Sequence, residues 1–135
     1  MRKLDQRGMA AFEFCLVAVP LFTLMFAIFD LGRYAITMQS LRTLANAGAR
    51  TWMINDCYVN SAIKKIPPTC SGDPLPSLAA KQAVAPMIGG LSPTLSTTTG
   101  ANVLTVTASI SSFTMIMPIW GTSLNAPSAS TTIPF

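Results

Sequence analysis

A single apolar run near the start of the chain limits what it can fold into. Residues 9–29 are apolar apart from Glu13 and Thr23. Twenty-one helical residues rise about 31 Å at about 1.5 Å each, which matches a bilayer core of about 30 Å. A buried core helix is the soluble alternative, but it would dominate a chain of 135 residues. The flanks set an orientation. The preceding residues, MRKLDQRG, carry Arg2, Lys3 and Arg7 against one acid, Asp5. Basic residues before a span stay on the cytoplasmic side, so everything after Asp30 is expected outside the cytoplasm. Arg33, just past the span, weakens the asymmetry without reversing it. A cleavable secretory signal needs a shorter apolar stretch and a small-x-small cleavage site. The sequence here runs on into FDLGRY with no such site.

Composition narrows the function classes. Only 10% of the residues are charged, against about 25% in an average soluble domain. The net charge is +4, yet no dense basic stripe exists, which argues against nucleic acid as a partner. Residues 1–8 supply three basic side chains and one acid, +2 of that total. The basic excess is therefore partly a topology signal. Histidine is absent and there are three cysteines, too few for a four-sulfur zinc site. Outside residues 1–8 the acids are Glu13, Asp30, Asp56 and Asp73, and they form no recognisable carboxylate pair. No nucleophile elbow or phosphate loop is present. The expectation is a protein that is not an enzyme and has no catalytic residues, cofactor or metal.

Glu13 is the informative departure from apolarity. A carboxylate inside a span costs roughly 2.5–3.5 kcal/mol at the helix centre and less near an end. One reading is that Glu13 reaches up to the headgroups. Another uses Gly8. A cut after Gly8 would make Met9 the new N-terminus, with Glu13 one helical turn away on the same face. The new ammonium, or that of a neighbouring subunit, would then pair with the carboxylate and offset its desolvation. The acid would also sit near the open N–H groups of the first turn.

A basic leader, Gly8, and Glu13 followed by the aromatic Phe14 resemble a class III, type IV-like signal peptide. More specifically, RGMAAFEFCLVAVPLFTLMFAIFDLGRY resembles the start of the TadE-like family, pilin-like proteins of the tight adherence (type IVb, Flp) pilus system. The resemblance rests on three elements: Gly8-x4-Glu13-Phe14, the step Asp30-Leu31-Gly32-Arg33, and the later step Gly48-Ala49-Arg50. Asp30 stands where Glu is commoner and keeps the charge. The likeness covers about the first 55 residues. It implies a minor pseudopilin that is cut by a prepilin peptidase between Gly8 and Met9. The protein would be single-pass in a bacterial inner membrane, N-terminus cytoplasmic and head periplasmic, and able to enter an extracellular pilus. Implied partners are membrane lipid, the peptidase, other pilins or pseudopilins, and pilus assembly proteins. The alternative is an anchored extracytoplasmic adaptor that stays uncut and never enters a fibre.

The remaining residues divide into a helix continuation and a head. Leu31, Tyr34, Met38, Leu41, Ala45, Gly48 and Trp52 recur at steps of three and four, one apolar stripe. Arg33, Thr37, Ser40, Thr43, Asn46 and Arg50 take the other faces. The stripe either packs the head or meets other helices, since Ala45, Gly48 and Ala49 permit close approach. The simplest model is one helix over about residues 9–55, bent at Pro20. Cys57 and Cys70 then bound an expected loop. Outside the cytoplasm the two read as a disulfide worth about 3 kcal/mol; two free thiols are the alternative. Cys15 remains unpaired in the span.

A second helix is expected over about 77–88, capped by Ser77 and stopped by Gly89-Gly90. Alternation over 103–110 reads as a strand, paired with 94–98 through a turn at 99–102. A bulge or kink is expected at Ser111-Ser112, after which Phe113, Met115 and Met117 take the apolar side. A turn at 118–121 follows, and 123–133 returns as an edge strand because of Pro127. The expected fold class is α+β and pilin-like: a long N-terminal helix, transmembrane in its first half and amphipathic in its second, packed on a small antiparallel sheet. The parts are a basic cytoplasmic leader (1–8), a transmembrane helix (9–29), its amphipathic continuation (30–56) and an α+β head (57–135).

Overall fold

The computed structural model describes residues 6–134, with side chains from Met9 onward. Residues 1–5, which hold most of the basic leader, lie outside the described residues. The architecture is α+β, with one long helix packed on a three-stranded antiparallel sheet.

Helix α1 spans Gln6–Met53, 48 residues, about 72 Å at about 1.5 Å per residue. It runs through Pro20 without interruption. Its two halves meet different surroundings. Of residues 9–29 only Ala18 and Ala27 are even part-buried. From Asp30 onward one face is covered: Asp30, Thr37, Ser40, Leu41, Leu44, Ala45, Gly48 and Ala49 are buried. The covered face is broader than the expected stripe. Thr37 and Ser40, assigned to other faces, are buried, whereas Leu31 is exposed. Small hydroxylated side chains let the head approach, and the Thr37 hydroxyl is satisfied by donating to the Arg33 carbonyl (2.9 Å).

The expected loop between Cys57 and Cys70 instead begins with helix α2, Asp56–Lys64. Asn55 does not close α1; it caps α2, its side-chain oxygen accepting the Cys57 amide (3.1 Å). Asp56 adds a negative charge to the first turn. Lys65 ends the helix in the left-handed region at φ 53°, and Pro67-Pro68 prevents its continuation. Helix α3, Leu78–Val84, is capped by the Ser77 hydroxyl, which accepts the Ala80 amide (3.1 Å). It is shorter than expected. Pro86 has no amide and disfavours helical geometry at Ala85, whose φ and ψ are −134° and 75°. A 3₁₀ turn, Pro86–Ile88, follows.

The sheet is formed by β1 (Thr94–Thr99), β2 (Val103–Ser109) and β3 (Ser128–Pro134), in the order β1-β2-β3. Val106 faces Thr97 on one side and Thr131 on the other. Leu104, Val106 and Ala108 turn under the sheet and meet Leu41, Leu44, Ala45 and Ile88 of the core. The phase shift near Ser111-Ser112 is not a bulge. β2 ends at Ser109 and the chain leaves the sheet, while the Ile110 amide still donates to the Pro127 carbonyl (3.2 Å). The returning strand starts at Ser128, later than expected. Ala126 sits at φ 50° and Pro127 cannot donate to a ladder. β3 is an edge strand.

Candidate functional site

The two later motif steps are where helix α1 grips the head. At the first, Asp30 is 2% exposed. Its Oδ2 accepts the amides of Ile116 (3.0 Å) and Met117 (2.9 Å), and its Oδ1 accepts Arg33 Nη1 (3.2 Å). Those amides belong to the long β2–β3 connection, which descends along α1. Phe113 packs beside Tyr34, with ring centroids 6.2 Å apart. One helical turn lower, residues 116 and 117 reach Asp30. The Arg33 guanidinium lies 5.4 Å from the Phe113 ring centroid, within range of a cation–π contact.

The Met117 amide contributes most to holding the Asp30 carboxyl below its ordinary range. Burial opposes it, and the Ile116 amide and the Arg33 charge reinforce it. Leu31 and Gly32 of the same step are exposed, and a Cβ on Gly32 would meet nothing within 4 Å.

At the second step Gly48 lies under the sheet. A Cβ there would meet Pro74 Cγ at 2.8 Å, Leu95 Cδ2 at 3.0 Å and Val106 Cγ1 at 3.1 Å. Ala49 is buried beside it and Arg50 is exposed. Side-chain bonds flank this contact: Thr131 Oγ1 donates to Asn46 Oδ1 (2.7 Å) and Trp52 Nε1 donates to Thr97 Oγ1 (2.8 Å). Helix α1 is thereby tied to β3 and β1 on either side of its closest approach to β2.

The first motif element stands apart from the head. Gly8 lies in the first turn of α1. Met9, Glu13 and Phe14 are exposed on the apolar half, and Glu13 is one turn beyond Met9. Among the described residues the ion pairs are Arg33–Asp30 and Lys81–Asp73, so Glu13 has no partner within them.

Cys57 and Cys70 form a disulfide with Cα atoms 5.5 Å apart, joining the first turn of α2 to the segment before α3. Cys15 is free and exposed. Among the described residues no group of three or more His, Cys, Asp and Glu side chains gathers around a metal-sized space.

Sequence reasoning missed the partner of Asp30, residues 113–117, and missed Lys81. The Lys81 ammonium is buried, pairing with Asp73 (2.6 Å) and donating to the Pro93 carbonyl (3.1 Å). The available signal for the former was MIMPIW, an uncharged apolar stretch in a connection between strands.

A family model described as TadE-like protein matches residues 8–50. The match opens on Gly8 and closes on Arg50, so it contains all three motif elements and lies entirely within α1. It is the family that those elements resemble. No curated protein and no solved structure matches the chain.

Proposed function

We propose that this chain, matched over residues 8–50 by the TadE-like model, is a minor pseudopilin-like structural component of a tight adherence pilus. The observation that carries the reading is the division of α1. Residues 9–29 form a bare apolar rod, and the same helix continues beneath a folded head from Asp30 onward. In water such a rod exposes Phe12, Phe14, Phe22, Phe26 and Phe29 together, far beyond the patch a soluble monomer tolerates. In a bilayer the same surface is solvated by lipid. In a fibre it packs against equivalent helices.

The action is mechanical. Residues 1–8 act as a cytoplasmic leader that orients the span, and a prepilin peptidase removes them after Gly8. The freed Met9 ammonium then pairs with Glu13, in the same subunit or a neighbouring one, which fixes helix register during assembly. Asp30, Arg33 and Gly48 hold the head rigidly on the helix, so that force or position passes from one to the other. The disulfide suits the periplasm, where such bonds persist.

The experiment is Glu13→Ala in cells that build the pilus. Membrane insertion should be unchanged, because the variant is more apolar, while assembly of pilus subunits falls. Equal assembly by the variant removes Glu13 from the mechanism and favours an anchored adaptor outside the fibre.

A further inference from the structure

The β2–β3 connection has an unusual combination of features. Ile116 is 73% exposed and Ile119 59% exposed, with Trp120 half-buried between them and the following turn. No charged residue occurs anywhere after Lys81. The Asp30 bonds fasten this connection to the residue that ends the apolar run. Ile116 and Met117 also line an apolar groove with Phe26, Phe29, Asp30 and Arg33. Phe26 is four residues below Asp30, about 6 Å along the helix. The loop therefore reaches down to the level of side chains inside the run itself.

Backbone polar groups are the usual obstacle to placing a loop near lipid, since each unsatisfied one costs several kcal/mol there. Here most of the amides are met from within. The amides of Ile116 and Met117 donate to Asp30, and that of Met115 donates to Asn125 Oδ1 (2.9 Å). Those of Trp120 and Gly121 close a 3₁₀ turn onto the carbonyls of Met117 and Pro118, and Pro118 has no amide to satisfy. The carboxylate that performs this service is itself sealed from solvent and paired with Arg33. The Trp120 indole N–H is the one buried side-chain polar atom among the described residues without an acceptor. Tryptophan is the residue that favours the boundary between acyl chains and headgroups.

We propose that residues 115–120 form a membrane-contacting foot, in which Ile116, Ile119 and Trp120 enter the outer boundary of the bilayer that α1 crosses. The occupant is lipid, because the foot is continuous with the span: the apolar surface of Phe26 and Phe29 passes without a break into that of Ile116 and Met117. Arg33, two helical residues beyond Leu31, extends to the headgroup level above it. The head is thus seated on the membrane and does not swing freely above it. This inference rests on the reading of residues 9–29 as a span.

The test uses the full chain in phosphatidylethanolamine–phosphatidylglycerol vesicles containing lipids brominated near the top of the acyl chain. Trp120 and Trp52 are the chain's two tryptophans. Trp52→Phe isolates Trp120, and the difference between the natural chain and Trp120→Phe gives the same signal without disturbing Trp52. Trp120 emission is expected to fall at least about two-fold with shallow bromines and less with deep ones, while Trp52 is unaffected. A polarity-sensitive dye on the free Cys15 reports separately whether the run is inserted. An apolar Cys15 signal with an unquenched Trp120 overturns the foot alone. An aqueous Cys15 signal overturns the span and the foot together.

Discussion

Replacing Gly48 by alanine separates two opposing effects whose sizes the structure decides. In an ordinary helix interior the change gains about 0.8–1.0 kcal/mol, because glycine loses more backbone freedom on folding. At Gly48 the new Cβ would lie 2.8 Å from Pro74 Cγ, 3.0 Å from Leu95 Cδ2 and 3.1 Å from Val106 Cγ1. Leu95 can turn its side chain aside. The Pro74 ring cannot, and Val106 is β-branched and held in the central strand. Overpacking of this kind costs about 1–3 kcal/mol, so the net is a destabilisation of about 1 kcal/mol.

Gly32→Ala is the internal control. It lies in the same helix, and its Cβ would meet nothing within 4 Å, so only the propensity gain of up to about 1 kcal/mol remains. The two variants should therefore differ by about 2 kcal/mol, on the order of 10 °C in Tm for a head of this size. Thermal unfolding of the full chain in detergent, followed by tryptophan emission, measures it. If Gly48→Ala melts as high as Gly32→Ala, the close approach at Gly48 does not constrain the fold and the reasoning fails.

Two further outcomes follow from the same contacts. Reducing the Cys57–Cys70 disulfide, which closes a loop with a sequence separation of 13, should cost the head about 3 kcal/mol, read as the loss of denaturation midpoint on adding a thiol; an unchanged midpoint would mean that α2 is held by packing alone. The carboxyl of Asp30 is held below its ordinary range in the folded chain. Its contribution is therefore complete above the unfolded value of about 3.9 and is lost as pH falls through the folded value. Protection of the Ile116 and Met117 amides, corrected for intrinsic exchange, should hold from neutral pH down through the ordinary carboxyl range and be lost only below it, whereas in Asp30→Asn these amides should be less protected already at neutral pH and lack that acid transition.

The elements were largely legible in the sequence, and the contacts between them were not. The long helix followed from the apolar run and from steps of three and four beyond it. The hairpin of β1 and β2 followed from alternation and from the turn near Gly100, because a half-buried strand must alternate. α2 was missed for a local reason: Asn55 reads equally well as the end of one helix or the cap of the next, and it is the cap. The role of Asp30 was out of reach for a different reason. Its partners are 86 and 87 residues away, and they are backbone amides, which every residue but proline carries. No side-chain pattern marks them. Gly48 is similar, since the three side chains that forbid a Cβ come from a loop and two strands. The motif steps Asp30-Leu31-Gly32-Arg33 and Gly48-Ala49-Arg50 were visible as likenesses to a family, and the fold supplies a physical reason for Asp30, Arg33, Gly48 and Ala49 within them. Leu31, Gly32 and Arg50 face outward, and nothing among the described residues explains them.

Maturation of the proposed inner-membrane pilus component by removal of its leader is open to experiment. Its most direct test is the N-terminus of the protein isolated from membranes of cells with and without a prepilin peptidase, determined by intact mass and N-terminal peptide mapping. The account predicts a chain starting at Met9 when the peptidase is present and at Met1 when it is absent. A chain starting at Met1 in both would contradict it and leave the apolar half of α1 as a plain anchor.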